Sequence, residues 1–402
     1  MHARISKRTT LAVIVLAATM ASLIAASASP AGQTGQRSEA KGPPPSPIKS
    51  LVDSLKGLSP AAREQKLYDA AKAEGALKWY TTLSKTIGPK VIKAFEEKYP
   101  GIKIDQYRAS SEDVTARLFQ EANANTPGAD VVETNGTELL FMQHRKNILI
   151  PYRGSPYATA IPPAYRFDTF TGDRIEAFLV AWNTNLVKSG EEPKSWQDLT
   201  NPKWAGKLSM EPGDVDWFAA AYQALQRTAY KKLKPKPKTK TAQANALKKI
   251  DAGIDALFAG IAKNSQIISG HTTQATLLAA GQFSVCVSCH AQSIEALAKK
   301  GAPLSFKPFA APLVIRAQGV AVAYRLQHPN AAVLFYDWML RPDGGQKTLL
   351  DGGANPARPD MADPDLKGGG ASFRMDLRPI VSHFKFWSDK YDRIIQLGSK
   401  KG

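Results

Sequence analysis

Residues 76–81 have the sequence Ala-Leu-Lys-Trp-Tyr-Thr, a short apolar stretch that predicts a buried β-strand. A helix is expected before it, beginning at Ser59-Pro60 with a serine cap followed by proline and ending at Gly75. After it, residues 88–98 predict a helix and residues 102–107 a second strand. Strand–helix alternation at this spacing is typical of a parallel α/β sheet.

The alternation continues along the next part of the chain. Ser110 or Ser111 is expected to cap a third helix, because apolar residues follow on one helical face. Residues 129–133 predict another strand, and Thr137 is expected to cap the helix after it. These elements extend one α/β sheet.

A second α/β region is expected after a buried strand at residues 177–182. Residues 319–324 predict a further apolar strand, and residues 330–340 predict a helix. The chain of 402 residues is long enough for two lobes with separate cores. We therefore predict an α/β protein with two lobes.

The N-terminus has the pattern of a secretory signal peptide. Arg4, Lys7 and Arg8 precede an apolar run at residues 11–25, and small residues follow at positions 26–28. We predict a signal peptide over residues 1–28 and a flexible leader, rich in Pro, Gly and Ser at its start, over residues 29–58. No other apolar run is long enough to predict a membrane span, so a periplasmic protein is expected.

The formal net charge of +18 arises in part from a lysine- and proline-rich segment at residues 229–250. This composition cannot build a core and predicts a solvated insertion. No aromatic residues alternate with these lysines, so no nucleic-acid partner is expected. No nucleophile–base motif, phosphate-binding loop or zinc spacing occurs either, and no enzymatic activity is expected.

Both cysteines lie within residues 281–290, which predict a strand whose far end points into a cleft. Cys286, Cys289 and His290 form the Cys-x-x-Cys-His pattern of covalent haem c attachment. An exported protein would meet the machinery for this attachment. The pattern nevertheless falls at the end of a predicted buried strand, whereas haem sites of this type lie on a short helix or loop.

Three other interpretations of the cysteines remain open. A disulfide would suit an oxidising compartment, but residues three apart in an extended strand are about 10 Å apart, which exceeds disulfide reach. A thiol redox centre would be expected at the start of a helix, where the thiol pKa is lowered. The last interpretation is two small buried residues beside a cleft-lining His290.

A series of short segments carries a resemblance to one known family. The longest are Phe-Glu-Glu-Lys-Tyr-Pro-Gly-Ile at residues 95–102, Gly-Ala-Asp-Val-Val-Glu-Thr-Asn-Gly at 128–136 and Pro-Lys-Trp-Ala-Gly-Lys at 202–207. Others lie at residues 74–81, 107–112, 195–199, 270–272, 277–281 and 355–358. In this order they resemble the periplasmic solute-binding proteins of ABC importers, in the iron(III)-type branch of extracellular family 1, over about residues 60–358.

The resemblance implies two lobes that close on a small solute by a hinge motion and then contact an ABC permease. It places the first part of lobe 1 at residues 59–180, lobe 2 at 181–312, and a return to lobe 1 with a C-terminal helical tail at 313–402. The strands at 177–182 and 319–324 would be the hinge. A monomer without catalytic activity is expected, and a haem-carrying redox protein is the alternative.

Ligands in open α/β sheets lie beyond the carboxyl ends of strands, near helix N-termini. This rule selects five loops, at residues 82–86, 134–137, 214–217, 270–273 and 289–292. Helix N-termini favour an anion, and His271 at such a start is a candidate contact. The candidate ligand-binding residues are Thr82, Ser84, Glu133, Thr134, Asn135, Gly136, Asp216, Trp217, His271, Thr272, Cys289 and His290.

The resemblance also implies a specific iron(III) ligand set that this chain lacks. Iron binders of the branch have adjacent tyrosines on the strand that matches residues 285–290, and a glutamate where Asn135 stands here. Glu133 is either a substitute ligand or a local hydrogen-bond acceptor. The solute is therefore expected to be an anion, iron(III) or a metal–anion complex, and replacing His271 or Glu133 by Ala is expected to weaken binding with little loss of thermal stability.

Overall fold

The computed structural model describes residues 47–310, 312–361 and 372–399. The predicted signal peptide and residues 29–46 of the predicted leader lie outside these ranges. Within them, every helix is too short or too polar to cross a lipid bilayer.

The described chain alternates strands and helices. The helices are α1 (Lys49–Ser54), α2 (Pro60–Glu74), α3 (Gly88–Lys98), α4 (Ser111–Asn123), α5 (Gly136–Gln143), α6 (Val215–Lys232), α7 (Lys240–Lys263), α8 (His271–Ala279), α9 (Ala291–Ala298), α10 (Pro329–Met339), α11 (Gly345–Asp351), α12 (Leu377–Ser382) and α13 (Phe384–Ser399). The strands are β1 (Ala76–Thr81), β2 (Lys103–Arg108), β3 (Val131–Asn135), β4 (Phe170–Asn183), β5 (Leu208–Met210), β6 (Ser265–Ile267), β7 (Val285–His290), β8 (Leu304–Ser305), β9 (Leu313–Val322), β10 (Asn355–Pro356) and β11 (Ser372–Arg374).

The strands form one sheet whose main path has the order β2-β1-β3-β9-β4-β7-β5-β6. Strands β2, β1 and β3 pair in parallel at one end, and β7, β5 and β6 pair in parallel at the other. The long strands β9 and β4 lie between these halves and pair antiparallel with their neighbours and with each other. Two parallel halves therefore meet at two central strands that connect them.

Helices cover each half and define two lobes with aromatic cores. In the first lobe, Trp79 of β1 and Phe95 of α3 pack on Phe335 of α10, with ring centroids 5.3 and 5.0 Å away. In the second, Trp217 and Phe258 pack with ring centroids 5.8 Å apart. Each fully buried aromatic side chain contributes about 1.5–3 kcal/mol of hydrophobic stabilisation, so both halves have a substantial core.

Local signals in the sequence predict several element boundaries well. The Ser59 hydroxyl accepts a hydrogen bond from the Ala62 N–H at the start of α2, and Gly75 ends that helix with a left-handed φ of 72°. The Ser110 side chain caps α4 by accepting from the Asp113 N–H. These caps work locally, which is why the sequence reveals them.

Thr137 was expected to cap a helix, and that expectation is wrong. Helix α5 begins one residue earlier, at Gly136, and Asn135 occupies the cap position without a side-chain cap bond. The Thr137 hydroxyl instead donates to Asp216 Oδ2 at 2.7 Å, across to helix α6. A long-range partner, which the sequence does not reveal, has replaced the local one.

Three further segments differ from their predictions as a flexible leader, a solvated insertion and a C-terminal tail on lobe 1. Residues 49–54, within the predicted leader, form α1, and the flanking Ile48 and Leu55 are 2% exposed. The lysine-rich segment is exposed, but it comprises the end of α6 and the start of the 24-residue helix α7. Helix α13 packs against α6 and α7, so the C-terminal end of the described chain contacts the second lobe.

Candidate functional site

The structure brings the five predicted loops to the middle of the sheet, where β4 and β9 connect the lobes. The loops of the second lobe meet through His271, which contacts both Asp214 and His290. The lobes meet where Thr137 of the first contacts Asp216 of the second. Thr82 of the first lobe is linked to Glu133 and to β4 through Arg174. Three groups of side chains result.

The first-lobe cluster consists of Thr81, Thr82, Glu133 and Arg174. Arg174 Nη2 and Nε lie 2.9 and 3.0 Å from Glu133 Oε1. The other oxygen, Oε2, accepts from the Thr81 hydroxyl and from the Thr82 N–H at 3.3 Å. Glu133 is fully buried and both of its oxygens are bonded, so it acts as a local acceptor in this structure.

Asp173 adjoins this cluster on β4 and is also fully buried. Burial, and next the negative charge of Glu133, raise the pKa of Asp173 to about 8. Arg174 opposes this shift. Because Arg174 is already bonded to Glu133, the Asp173 carboxyl remains protonated at neutral pH.

The lobe bridge consists of Asn135, Thr137, Asp216 and Arg316. Arg316 of β9 donates to Asp216 Oδ2 at 3.0 Å and to Asn135 Oδ1 at 3.4 Å. Burial alone would raise the pKa of Asp216, but the charge of Arg316 and the hydrogen bonds from Thr137 and Arg316 lower it below its usual range. Asp216 is thus an ionised carboxylate that joins both lobes to a central strand.

Phe178 of β4 packs under the bridge. Its ring centroid lies 4.9 Å from the Arg316 guanidinium carbon, which is a cation–π distance. The same ring makes edge contacts with His290 at 4.8 Å and His271 at 5.7 Å. Phe178 therefore connects the lobe bridge with the histidines of the second lobe.

The second-lobe cluster consists of Glu211, Asp214, His271 and His290. His271 Nε2 lies 3.0 Å from Asp214 Oδ1, and the His271 and His290 rings stack with centroids 3.6 Å apart. Ligand atoms of Glu211, Asp214 and His271 all lie within 4.8 Å of one another. Two carboxylates and two imidazoles are thus concentrated beside the start of α8.

Burial and charge set the protonation of this cluster. Burial, the charge of His271 and the nearby arginines hold the pKa of His290 well below its usual value. Burial also opposes protonation of His271, but Asp214 and Glu211 outweigh it and raise the His271 pKa. Burial and the charge of Asp214 raise the pKa of Glu211 to about 6. The surroundings therefore favour the neutral form of His290 and the protonated form of His271.

Glu176 of β4 contacts the His290 imidazole. Its Oε2 lies 3.5 Å from His290 Nδ1 and accepts a 2.6 Å hydrogen bond from the Gln292 amide. Burial raises the pKa of Glu176 to about 7, while the positive charges of Arg174, Arg316 and His271 limit the shift. The carboxylate orients the imidazole, leaving Nε2 of His290 without a partner among the described residues.

Cys286 and Cys289 form a disulfide, so the geometric argument against it is wrong. Ala181 pairs with Cys286 and Leu179 with Cys289, so three steps along β7 face only two along β4. This β-bulge shortens the Cα–Cα distance to 5.7 Å, within disulfide reach. Both sulfurs are bonded to each other and buried, so neither is available for thioether attachment of haem in this structure.

Several predicted site residues have other roles in the structure. Trp217 is 1% exposed and packs in the second-lobe core against Trp196, while Cys289 is buried in its disulfide. The Ser84 hydroxyl pairs with Thr86 and accepts from the Ile87 N–H, which is a local turn. These three residues belong to the scaffold.

The remaining candidates flank the clusters. Thr272 is exposed, and Thr134 is buried with no partner for its hydroxyl in the described ranges. A Cβ on Gly136 would come within 2.6 Å of the Ala317 carbonyl oxygen, so glycine here allows close packing on β9. Asn135, Glu133, Thr82, Asp216, His271 and His290 lie within the clusters described above.

Four residues of the site were not predicted from the sequence: Arg174, Glu176, Glu211 and Arg316. Three of them lie in the central strands β4 and β9, before the segments predicted at residues 177–182 and 319–324, because both strands begin earlier than predicted. Charged residues are almost never buried unless they are paired, so a charge just before a predicted buried strand is a signal of a site when the strand extends over it. Glu211 lacked even this signal, because it follows the short strand β5.

Carboxylates of the protein already occupy the predicted anion positions of the second lobe. Glu211 accepts from the backbone N–H groups of Gly213 and Gly270, at 2.5 and 3.2 Å, immediately before α6 and α8. Asp216 accepts from the Trp217 N–H at 2.7 Å in the first turn of α6. The surroundings of the second-lobe cluster are therefore acidic, which disfavours a bare anion there.

Comparisons with known proteins agree with this architecture. A family model described as bacterial extracellular solute-binding protein matches residues 90–370. The Fe(3+)-binding periplasmic protein of Serratia marcescens is 24% identical over 158 residues, which are 39% of this chain and 45% of that protein. The match thus spans a little under half the length of this curated relative.

Solved structures match most of the chain. The ferric binding protein from Campylobacter jejuni has a TM-score of 0.62 at 21% identity, covering 79% of this chain and 99% of that one. Iron-bound HitA from Pseudomonas aeruginosa gives 0.60 at 18% identity, covering 81% and 99%. AfuA from Actinobacillus pleuropneumoniae, with exogenous fructose-6-phosphate bound, gives 0.57 at 22%, covering 80% and 97%. These likenesses confirm the predicted two-lobed α/β fold.

Proposed function

The chain belongs to the bacterial extracellular solute-binding protein family, and we propose that it captures a small solute between its lobes and delivers it to the membrane subunits of an ABC importer. The proposed hinge is the pair of central strands β4 and β9, with lobe 1 at residues 59–180 and 313–383, and lobe 2 at 181–312 together with helix α13, which packs against α6 and α7. The protein would act in the periplasm as a monomer, after export directed by residues 1–28, and we assign no reaction to it.

The lobe bridge is the observation that carries this proposal. Asp216 at the start of α6 contacts Thr137 of the first lobe and Arg316 of a central strand. A single carboxylate that touches both lobes and the proposed hinge strand is well suited to couple solute binding to lobe closure. Such closure gives a permease a distinct shape to recognise.

The charges around the bridge favour a solute that contains a cation. Arg174 and Arg316 are each paired with a carboxylate, whereas the ion-pair contacts of Asp214 and Glu176 in the described part of the chain are with His271 and His290. Burying these carboxylates without a counter-charge raises the free energy of their ionised forms. A metal ion or a metal–anion complex would relieve this cost, and the similar proteins include the Fe(3+)-binding periplasmic protein of Serratia marcescens and the ferric binding protein from Campylobacter jejuni.

Small-angle X-ray scattering of the exported protein tests the proposal. The probes are ferric citrate, zinc chloride and fructose-6-phosphate, each titrated into protein that has been unfolded and refolded to remove carried ligand. We expect a metal-containing probe to reduce the radius of gyration, because lobe closure makes the molecule more compact. No change with any probe, and no ligand in a native mass spectrum of freshly exported protein, would contradict solute capture.

A variant pair separates closure from folding. Thr137→Val removes the hydroxyl that reaches Asp216 across the lobes and should weaken binding of the active probe about fivefold, the equivalent of about 1 kcal/mol. Thr115→Val is the matched control, since the buried Thr115 hydroxyl donates to the Ser111 carbonyl of its own helix. Equal affinities in the two variants would show that the bridge has no part in closure.

A further inference from the structure

The second-lobe cluster contains donor atoms that the protein itself does not use. His271 Nδ1, Asp214 Oδ2 and His290 Nε2 each lack a hydrogen-bond partner among the residues that the structure describes. Asp214 is only 2% exposed, so bulk water does not solvate its second oxygen. A buried carboxylate oxygen without a partner is costly unless a ligand binds it.

The Asp214 carboxylate is in direct contact with the His271 imidazole. Asp214 Oδ1 lies 3.0 Å from His271 Nε2, and Oδ2 belongs to the same carboxylate. Two atoms that coordinate one ion at about 2.1 Å lie roughly 3–3.5 Å apart. Together with Glu211, whose ligand atom lies within 4.8 Å of the other two, this spacing requires only small side-chain movements to surround an ion.

Backbone contacts hold the cluster in position. Glu211 is oriented by the N–H groups of Gly213 and Gly270, the two residues that precede Asp214 and His271 in the chain. His290 is oriented by its stacking on His271 and by Glu176 below it. Metal sites typically have such contacts, in which groups that do not touch the metal orient the side chains that bind it.

We propose that Glu211, Asp214 and His271 bind a divalent transition-metal ion within the second lobe, with His290 as the nearest additional nitrogen ligand. Imidazole nitrogens combined with carboxylates suit Zn²⁺, Fe²⁺ or Ni²⁺, whereas Mg²⁺ and Ca²⁺ prefer oxygen alone. The inference rests on the proposed solute-binding function, and it gives that function a ligand class and a set of residues.

The site differs from the tyrosine-based set that the family resemblance implies. All three proposed ligands follow second-lobe elements, at the end of β5 and at the starts of α6 and α8. None of them lies in the first lobe, so the ion can bind before the lobes close. Metal binding and lobe closure are therefore separable by experiment.

Isothermal titration of metal-stripped, full-length exported protein with zinc chloride tests the site. We expect one equivalent of Zn²⁺ to bind the unmodified protein, and Asp214→Asn and Glu211→Gln to weaken it by at least about 100-fold, since each removes a direct ligand. X-ray absorption of the zinc complex should show imidazole back-scattering. Circular dichroism confirms that each variant is folded, and either variant alone is sufficient if the other fails to fold.

His328→Gln provides a matched control in the first lobe. His328 Nδ1 lies 2.7 Å from Asp130 Oδ2, but the Asp130 oxygens also accept from the N–H groups of Lys78, Gln327 and His328. Both oxygens of Asp130 already have partners within the chain, so the variant should keep the zinc affinity within about threefold of the unmodified protein.

The outcomes distinguish the site from the transport function. Zinc binding that is lost in Asp214→Asn supports the site even if scattering shows no lobe closure, in which case only the proposed function fails. Absence of zinc binding, or equal affinity in Asp214→Asn and the unmodified protein, overturns the site. If the lobes close when fructose-6-phosphate is added but the protein does not bind zinc, the proposed solute-binding function is supported and the proposed metal site is wrong.

Discussion

The first-lobe cluster and the second-lobe cluster contain similar residues but differ in whether their polar side-chain atoms have hydrogen-bond partners within the chain. In the first, every oxygen of Glu133 is bonded, to Arg174, Thr81 or Thr82. In the second, Asp214 and His290 each keep an atom without a partner in the described part of the chain. Both lie next to the same two central strands, so burial alone does not explain the difference.

The comparison shows how a buried charge can be assigned to structure or to binding. A carboxylate whose partners all come from the chain stabilises the folded lobe, and losing it leaves a charge behind. A buried carboxylate with an oxygen that has no partner from the chain lowers the stability of the fold and can accept an external ligand. The first-lobe cluster therefore belongs to the scaffold, and the second-lobe cluster to the site.

Glu133→Ala should have the largest effect on stability. It leaves the Arg174 guanidinium buried without its anion, and removing one member of a buried ion pair costs about 3–5 kcal/mol. Chemical denaturation should show this loss in the free energy of unfolding. The expectation from sequence that this substitution would spare thermal stability is thereby revised, because it assumed an open, ligand-facing side chain.

Two further variants sharpen this prediction. Glu97→Ala is the control, since Glu97 is exposed and lies 3.7 Å from Lys93, a pair worth about 0.5 kcal/mol or less. The double variant Glu133→Leu/Arg174→Met removes both charges and should recover part of the lost stability. If Glu133→Ala is as stable as Glu97→Ala, the first-lobe cluster is not structural and the comparison fails.

The difference between local and long-range signals explains what the sequence predicted. The Ser59 cap, the Gly75 terminus and the strand at 76–81 depend on neighbouring residues, and the structure confirms them. The bond from Thr137 to Asp216 and the bulge in β7 depend on residues far apart in the chain. Periodicity therefore predicts the fold, whereas the partners of each site residue are visible only in three dimensions.

Removal of the disulfide should have the next largest effect, and it tests what holds β7 beside the second-lobe cluster. For a loop closed over two intervening residues, the chain-entropy model predicts a loss of about 2 kcal/mol of unfolding free energy in Cys286→Ala/Cys289→Ala. The chain has only two cysteines, so no other pairing interferes. Unmodified protein treated with a reductant should lose the same amount, and an unchanged variant would mean that the sulfurs are not bonded in the exported protein.

Asp173→Asn should give a smaller effect that depends on pH. The Asp173 pKa of about 8 in the folded protein lies above the unfolded value of about 3.9, so the folded state holds a proton that the unfolded state has lost. The free energy of unfolding therefore falls as pH rises between about 4 and 8. Relative to the unmodified protein, the variant should gain at least about 1 kcal/mol, or roughly 2 °C in Tm, at pH 8.

The same pair of proteins should have similar Tm values near pH 3, because the carboxyl is then largely protonated in both folded and unfolded chains. Differential scanning calorimetry at the two pH values measures the difference directly. A gain of equal size at both would mean that the amide forms new contacts and that the buried acid does not titrate.

His271→Gln should change stability least among these variants and should still weaken zinc binding. His271 lies at the first residue of α8, its side chain is 19% exposed, and its bonding partner among the described residues is Asp214. The glutamine amide can still donate to that carboxylate, so we expect less than about 1 kcal/mol of change in the free energy of unfolding. Zinc affinity should nevertheless fall at least about tenfold, because an amide is a poor substitute for an imidazole ligand. A loss of stability approaching that of Glu133→Ala would instead make the second-lobe cluster as structural as the first, and unused donor atoms would no longer identify a binding site in this fold.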